Sequence, residues 1–239
     1  MRRRFFVEQF GANRCVLQGE AAHHLGRVLR AAPGQLYELS DGRRVRLGRI
    51  EKVGRDAVEF ALLEELPATE PTLRTTLLLA VVKFEAFEWA VEKATELGVG
   101  SIAPLAAARS EKALVAAASK RGARWRKILL EAAQQSRRLR LPELGAVTRP
   151  EQAFRERREA LRLLLSERPE AARMRTVLSS TKASEAALAV GPEGGWTDEE
   201  IALAREAGFR DVSLGKGILR TETAVIAGLA ALNYALGEE

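Results

Sequence analysis

Along the first third of the chain, apolar and polar positions alternate. Val45 and Leu47, then Val58, Phe60 and Leu62, recur at every second residue, the period of a strand buried on one face. Arg4 to Phe10 is rich in Phe and Val, and Gly34 to Leu39 runs into Ser40-Asp41-Gly42, a hairpin signal. Between them, Ala21, Leu25, Val28 and Leu29 fall at helical spacing within Glu20 to Leu29. This part predicts a small antiparallel β-barrel with one helix. Pro67-Ala68-Thr69-Glu70-Pro71-Thr72 offers no core residue and predicts a linker. The expected division is therefore residues 1–70 and residues 71–239.

Beyond the linker the rhythm changes. Leu77-Leu78-Leu79-Ala80-Val81-Val82 is a continuous apolar run, as expected of a strand covered on both faces. Phe87, Ala90, Val91, Ala94 and Leu97 then follow helical spacing, with Gly98 placed to end the helix. Ser101 to Leu105 predicts a short strand, and Trp125, Ile128, Leu129, Ala132, Ser136 and Leu139 predict another helical stripe. Further strands are expected at Leu161–Leu165, Ala187–Val190 and Val212–Leu214. Strand and helix in alternation imply an α/β domain: a mainly parallel sheet with helices on both faces.

Composition narrows the class. The chain has 239 residues, of which 46% are apolar and 29% charged, enough for a soluble protein with a real core. No apolar run is long enough to span a bilayer, so no membrane role is expected. Met1-Arg2-Arg3-Arg4-Phe5-Phe6 does not read as a secretory signal, and a lone cysteine, Cys15, forms no internal disulfide, so a cytoplasmic location is expected. Adjacent His23 and His24 with one cysteine lack the spacing of a zinc site, and no metal is expected.

The net charge of +6 is unevenly spread. Residues 1–55 carry twelve Lys and Arg against five acids, and residues 73–140 carry thirteen against six. Residues 56–72 hold five acids and no base, and residues 141–239 hold thirteen bases against sixteen acids. Two separated basic stretches suggest a polyanionic partner, although a solvated arginine-rich surface would look the same. Phe5, Phe6 and Trp125 read as core rather than as base-stacking platforms.

Two late segments carry candidate chemistry. Val190-Gly191-Pro192-Glu193-Gly194-Gly195-Trp196 lies between a strand and a helix that opens with a capping box, Thr197 and Glu200. Its glycines suit a tight turn, or equally a loop that lets backbone approach a ligand at the carboxyl edge of the sheet. Leu214-Gly215-Lys216-Gly217-Ile218-Leu219-Arg220-Thr221-Glu222-Thr223 repeats the arrangement ahead of an apolar helix. An Arg220–Glu222 ion pair would account structurally for its charges. The phosphate-binding Gly-Lys-Ser/Thr pattern is absent, and the dinucleotide fingerprint lacks its third glycine, with Arg220 in that place. That fingerprint also belongs to the first strand of its domain, whereas only one helix follows here. Two late glycine loops thus suggest one pocket built from both.

These two segments together resemble the RsmE family, 16S rRNA (uracil-N3) methyltransferases of the SPOUT superfamily. Weaker matches run along the chain: Arg4-Phe5-Phe6, His24-Leu25-x-x-Val28-Leu29-Arg30, Lys93-Ala94-x-Glu96-Leu97-Gly98-Val99, Pro104-Leu105, Gln135-Ser136 with Arg138, and Pro142-Glu143. Where many relatives carry a long basic side chain this chain has Gly217, which removes any RNA contact from that position. The resemblance implies a PUA-like antiparallel barrel over residues 1–70. It implies a SPOUT methyltransferase domain with a C-terminal trefoil knot over residues 71–239, and a homodimer with its cofactor pockets near the subunit interface. S-adenosylmethionine would be lined by Gly191, Pro192, Glu193, Gly194 and Gly195, and by Leu214, Gly215, Ile218, Leu219 and Arg220. The substrate would be N3 of a uridine in 16S rRNA, free or in the small ribosomal subunit.

The chemistry sets its own requirements. A methyl sulfonium carries its own activation, so the enzyme has only to hold uracil N3 in line with it. The N3 proton must leave, which a carboxylate could accept and a cation would favour. Arg220 and Glu222 are the expected catalytic pair, and the RNA contacts are expected at Arg2, Arg3, Arg4, Arg27, Arg30, Arg124 and Arg138. N3 is paired in a duplex, so the target must be unpaired or flipped out. A non-catalytic RNA-binding protein of ribosome assembly would use the same basic stretches without needing the two glycine loops.

Overall fold

The computed structural model describes residues 3–68 and 70–237. Arg2 and Thr69 therefore lie outside the described residues. The chain divides into two compact units. One comprises the chain up to Glu70 together with Ala133–Leu141, and the other Pro71–Ala132 together with Pro142 onward. The sequence boundary at residue 70 missed the excursion of Ala133–Leu141 into the first unit.

The first unit contains β1 (Arg4–Phe6), β2 (Arg14–Gln18), a short α1 (Gly19–His23), β3 (Leu36–Ser40), β4 (Val45–Val53) and β5 (Ala57–Leu66). They form a five-stranded sheet in the order β1-β3-β4-β5-β2. Val58, Phe60 and Leu62, inward as the alternation predicts, gather with Leu39, Ile50, Phe5 and Leu25 into one core. Two expectations change. The sheet is an open, curled one rather than a closed barrel, and it is mixed, because β1 pairs with β3 in parallel. The expected strand from Arg4 to Phe10 ends at Phe6, and β2 was not foreseen. Val28 and Leu29 are exposed at 61% and 36%, off the core face. The reason is local: α1 widens into a π-turn over His24–Val28, closed by Leu29 N donating to His24 O at 3.0 Å. The extra residue in that turn rotates the following side chains away from the core.

Ala133–Leu141 is tied to this unit by hydrogen bonds. Ser40 Oγ donates to Leu139 O at 2.7 Å, Arg140 Nε donates to Gly42 O at 2.7 Å, and Arg4 donates to Arg137 O. Arg140 also pairs with Glu70.

The second unit is α/β. Its elements are β6 (Arg74–Ala80), α2 (Phe84–Glu96), β7 (Ser101–Leu105), α3 (Lys112–Ala118), α4 (Gly122–Gln135, whose last turn belongs to the first unit), β8 (Glu143–Leu144) and α5 (Pro150–Arg155). There follow β9 (Leu161–Leu165), β10 (Ala172–Arg173), α6 (Met174–Ser179), β11 (Glu185–Val190), α7 (Asp198–Glu206), β12 (Arg210–Ser213) and α8 (Thr221–Leu236). The seven strands run in the order β10-β12-β9-β11-β6-β7-β8. Every pairing is parallel.

Parallel strands covered on both faces need apolar side chains at every position, and the two cores show how they divide. Leu77, Leu79, Leu163, Leu188 and Val190 pack with α2, α4, α6 and α8, through Phe87, Trp125, Val177 and Val225. The intervening Leu78, Ala80, Leu164, Ala187 and Ala189 pack on the opposite face with Phe154 of α5 and Ile201 of α7. Helix α2 ends at Gly98, whose φ of 88° is open to glycine. The stripe foreseen through Leu139 stops with α4 at Gln135, and Arg137 has φ of 56° where the chain turns away. The short elements α3, α5, α6, β8 and β10 were not foreseen.

Candidate cofactor site

A cavity of about 440 Å³ opens at the carboxyl ends of three adjacent strands, β9, β11 and β12. Open α/β sheets bind ligands at that edge. Gly191, Pro192, Glu193, Gly194 and Gly195 line it after β11, and Leu214, Gly215, Ile218 and Leu219 line it after β12. The structure therefore brings both glycine segments into one wall. Neither Arg220 nor Glu222 is part of that lining, and Arg220 is the exposed N-cap residue of α8. Glu222 lies in the first turn of the same helix, half-buried. Among the described residues no ion pair joins the two, so the pairing that would have given them a purely structural role is not formed.

The geometry explains the residues. Gly191 lies flat against Trp196: a Cβ there would stand 3.0 Å from the indole Cε2. The ring cannot retreat easily, because Trp196 Nε1 donates to Leu165 O at 3.0 Å and the side chain is buried. Gly215 has φ of 152°, a conformation that a side chain disfavours. A Cβ at Gly217 would meet no heavy atom within 4 Å. The capping box forms as read: Glu200 N donates to Thr197 Oγ1 at 3.2 Å and Thr197 N donates to Glu200 Oε2 at 2.9 Å.

Two further segments reach the cavity that sequence patterning did not mark. Ser166, Glu167, Arg168 and Pro169 follow β9, and Arg109 follows β7. The strand at Leu161–Leu165 was foreseen, so its carboxyl-end loop was the available signal; nothing in the spacing marks Arg109. Arg109 Nη1 donates to Gly194 O at 2.6 Å, steadying the first glycine loop from the segment after β7. The Glu199 carboxyl is held below the ordinary carboxylate range by its own backbone N–H and the Thr197 hydroxyl, with the Arg109 charge adding to the effect. Arg168 pairs with Asp198 at the start of α7 and with Glu170. A hydrogen bond joins the two glycine loops: Thr221 Oγ1 donates to Gly191 O at 3.1 Å.

The expected RNA contacts are scattered differently. Arg3, Arg27 and Arg30 are exposed on the first unit, with Arg3 Nη1 3.5 Å from His24 Nε2. Arg124 is exposed on α4, and its Nε donates to Glu88 Oε2 at 3.2 Å. Arg4 is a correction. It is buried, with Nη2 2.9 Å from Glu38 Oε2, so its charge is held inside the unit rather than presented to a partner. Burial also pushes the Arg138 guanidinium down to about 10, still cationic at neutral pH. Among the described residues no group of three or more His, Cys, Asp or Glu is placed to hold a metal ion, and no helix is long and apolar enough to cross a membrane.

Residues 69–233 match the family profile of an RNA methyltransferase domain, and residues 17–63 match an RNA methyltransferase PUA domain. Ribosomal RNA small subunit methyltransferase E of Synechocystis is 37% identical, over 90% of this chain and 71% of its own length. The protein of the same name from Mycobacterium bovis is 35% identical, over 91% of this chain and 85% of its own. The chain belongs to the ribosomal RNA small subunit methyltransferase E family. Solved structures agree. A Legionella pneumophila methyltransferase crystallised with bound S-adenosylmethionine superimposes with a TM-score of 0.89 at 32% identity, over the whole of both chains. The family member from Neisseria gonorrhoeae, bound to S-adenosylmethionine, gives 0.88 at 30% identity over 99% of both chains. The family thus joins a mixed α/β methyltransferase fold to an N-terminal PUA domain, and this chain carries both.

Proposed function

We propose that this protein transfers a methyl group from S-adenosylmethionine to N3 of a uridine in 16S rRNA of the small ribosomal subunit, acting in the cytoplasm. The observation that carries the reading is the single cavity enclosed by both glycine loops and fastened by Thr221 and Gly191. Its volume falls within the range that holds small cofactors. The residues fit such a group: Gly215 and Gly217 leave space where side chains would intrude, and Trp196 gives the cavity an apolar base. Backbone N–H and C=O groups of Gly191–Gly195 and of Leu214, Gly215, Ile218 and Leu219 would read the adenine. The sulfonium supplies an activated methyl group.

The chain's own groups would do the rest. Glu222 would accept the N3 proton, while Arg220 and the positive end of the sixteen-residue α8 would favour the resulting uridinate. Holding the base in line with the donor is a matter of position, which the loops supply. The exposed cations Arg3, Arg27, Arg30 and Arg124 would take RNA phosphates, a salt-sensitive contribution independent of sequence.

The resemblance extends the proposal to a C-terminal trefoil knot and a homodimer. Support for the first is that the segment leaving β12 is hooked to Gly191 by Thr221 before α8 packs back on α2, where Asn233 Nδ2 donates to Leu97 O at 2.7 Å. Support for the second is apolar surface on those two helices, Trp89 at 46% and Tyr234 at 94% exposure.

Labelled methyl transfer to small-subunit RNA from cells lacking the enzyme, with mapping of the modified base, tests the whole reading. Label on N3 of a uridine is expected. Label on a carbon or a ribose oxygen would overturn the N3 assignment alone. No heat of binding with S-adenosylmethionine would favour a non-catalytic assembly protein.

A further inference from the structure

The charged groups around the cavity are unequally engaged. Its cations are Arg109, Arg168 and Lys216. Arg109 is bonded to Gly194 O, and Arg168 is paired with Asp198 and Glu170. Among the described residues no hydrogen bond or ion pair engages the Lys216 side chain, which is exposed. Lys216 also stands between Gly215, at φ of 152°, and Gly217, which has open space around it. Neither neighbour presents a side chain that would crowd or neutralise the ammonium.

We propose that Lys216 binds a phosphate of the RNA strand next to the target nucleotide and so sets which base reaches the cavity. This rests on the methyltransferase reading above. A polyanion approaching the opening meets the uncommitted carboxylates of Glu167 and Glu193 on other parts of the wall, which repel it. Among the described residues Lys216 is the one lining cation with neither a hydrogen bond nor an ion pair, so its donors are open to the strand on that side. Lysine suits such a contact, because a strongly hydrated point charge with three rotatable donors meets a phosphate without demanding a fixed planar geometry. Phosphate contacts fix register, and base recognition follows from it.

The test compares wild type, Lys216→Gln and Lys216→Arg, each checked for an unchanged thermal melt. Binding of a single-stranded oligouridylate is measured across a salt series with S-adenosylhomocysteine saturating. The plot of log affinity against log salt is expected to lose about one unit of slope in Lys216→Gln. Lys216→Arg is expected to keep the wild-type slope. Calorimetry with S-adenosylmethionine is expected to give the same affinity for all three. An unchanged slope in Lys216→Gln overturns the proposal. So does a weakened cofactor affinity with an unchanged slope, which would assign Lys216 to the cofactor's carboxylate. Failure of the methyltransferase reading is seen separately, as wild type that binds the strand but transfers no label to it.

Discussion

The hydroxyl of Thr221 donates to the carbonyl of Gly191, joining the first turn of α8 to the loop after β11 across thirty residues of chain. Thr221 is buried, while Gly191 is half-buried in the cavity wall. Losing a part-buried hydrogen bond of this kind costs on the order of 1 kcal/mol. Thr221→Val keeps the shape and removes the hydroxyl. It should lower the urea midpoint accordingly and weaken S-adenosylmethionine binding several-fold in calorimetry, because both walls of the cavity lose their common anchor. Thr221→Ser should keep most of both. Equal cofactor affinity in all three proteins would mean that the loops hold their places independently.

Two glycines of the same cavity should respond in opposite ways. Gly191→Ala drives a methyl group against the Trp196 ring, which its own bond to Leu165 O holds in place. Overpacking of this kind costs roughly 1–3 kcal/mol. Gly217→Ala meets nothing within 4 Å, and its φ lies outside the left-handed region. Its stability should stay within about 0.5 kcal/mol of wild type. Denaturant midpoints of the two variants check the contrast; equal midpoints would show that the indole yields.

The residues that were legible before the structure are those whose role is written in local spacing. The apolar runs at Leu77–Val82 and Leu161–Leu165 announce buried parallel strands, and the glycine loops announce themselves by composition. The closing of both loops on one cavity could be inferred because each follows a strand late in the chain. Arg109 and Arg168 could not, since their value lies in contacts with Gly194 and Asp198 that no periodicity encodes. The same holds for Arg4. With Arg2 and Arg3 it reads as an RNA contact, and only the fold shows its pairing with Glu38. The parallel pairing of β1 with β3 is invisible for a related reason: alternation gives the face of a strand and not its direction.

The hairpin turn after β3 should make the first unit sensitive to acid. Asp41 Oδ1 accepts from the backbone N–H groups of Arg43 at 2.9 Å and Arg44 at 2.7 Å. Burial alone would raise its pKa, but those bonds and the Arg44 charge outweigh it and hold the carboxyl below its ordinary value. The folded state therefore binds fewer protons than the unfolded one. The stabilisation is present above the usual aspartate pKa of about 3.9 and is lost as pH falls through the lower folded value. Asp41→Asn keeps an acceptor for both N–H groups and removes the charge. Its deficit against wild type should be constant at neutral pH and vanish in strong acid, as read from denaturant midpoints along a pH series. A deficit that persists unchanged in acid would place its origin in the hydrogen bonds rather than the charge.

Arg4 offers the sharpest choice between a structural and an RNA-binding role. Its Nε and Nη2 lie 3.1 and 2.9 Å from Glu38 Oε2, with both side chains only 10% exposed. Its Nη1 donates to Arg137 O, and Arg137 Nη1 stands 3.5 Å from Glu38 Oε1. One guanidinium thus fastens β1, β3 and the excursion 133–141 together. Arg4→Met leaves Glu38 buried with only the longer Arg137 contact, and breaking such a pair costs about 3–5 kcal/mol. Pairing it with Glu38→Leu removes the stranded charge and should recover much of that loss, since a buried ion pair replaced by apolar side chains is often neutral. Urea denaturation of the two single variants and the double variant measures the coupling. An Arg4 that instead served a phosphate would give near wild-type stability in Arg4→Met and a salt slope for RNA binding lower by about one unit.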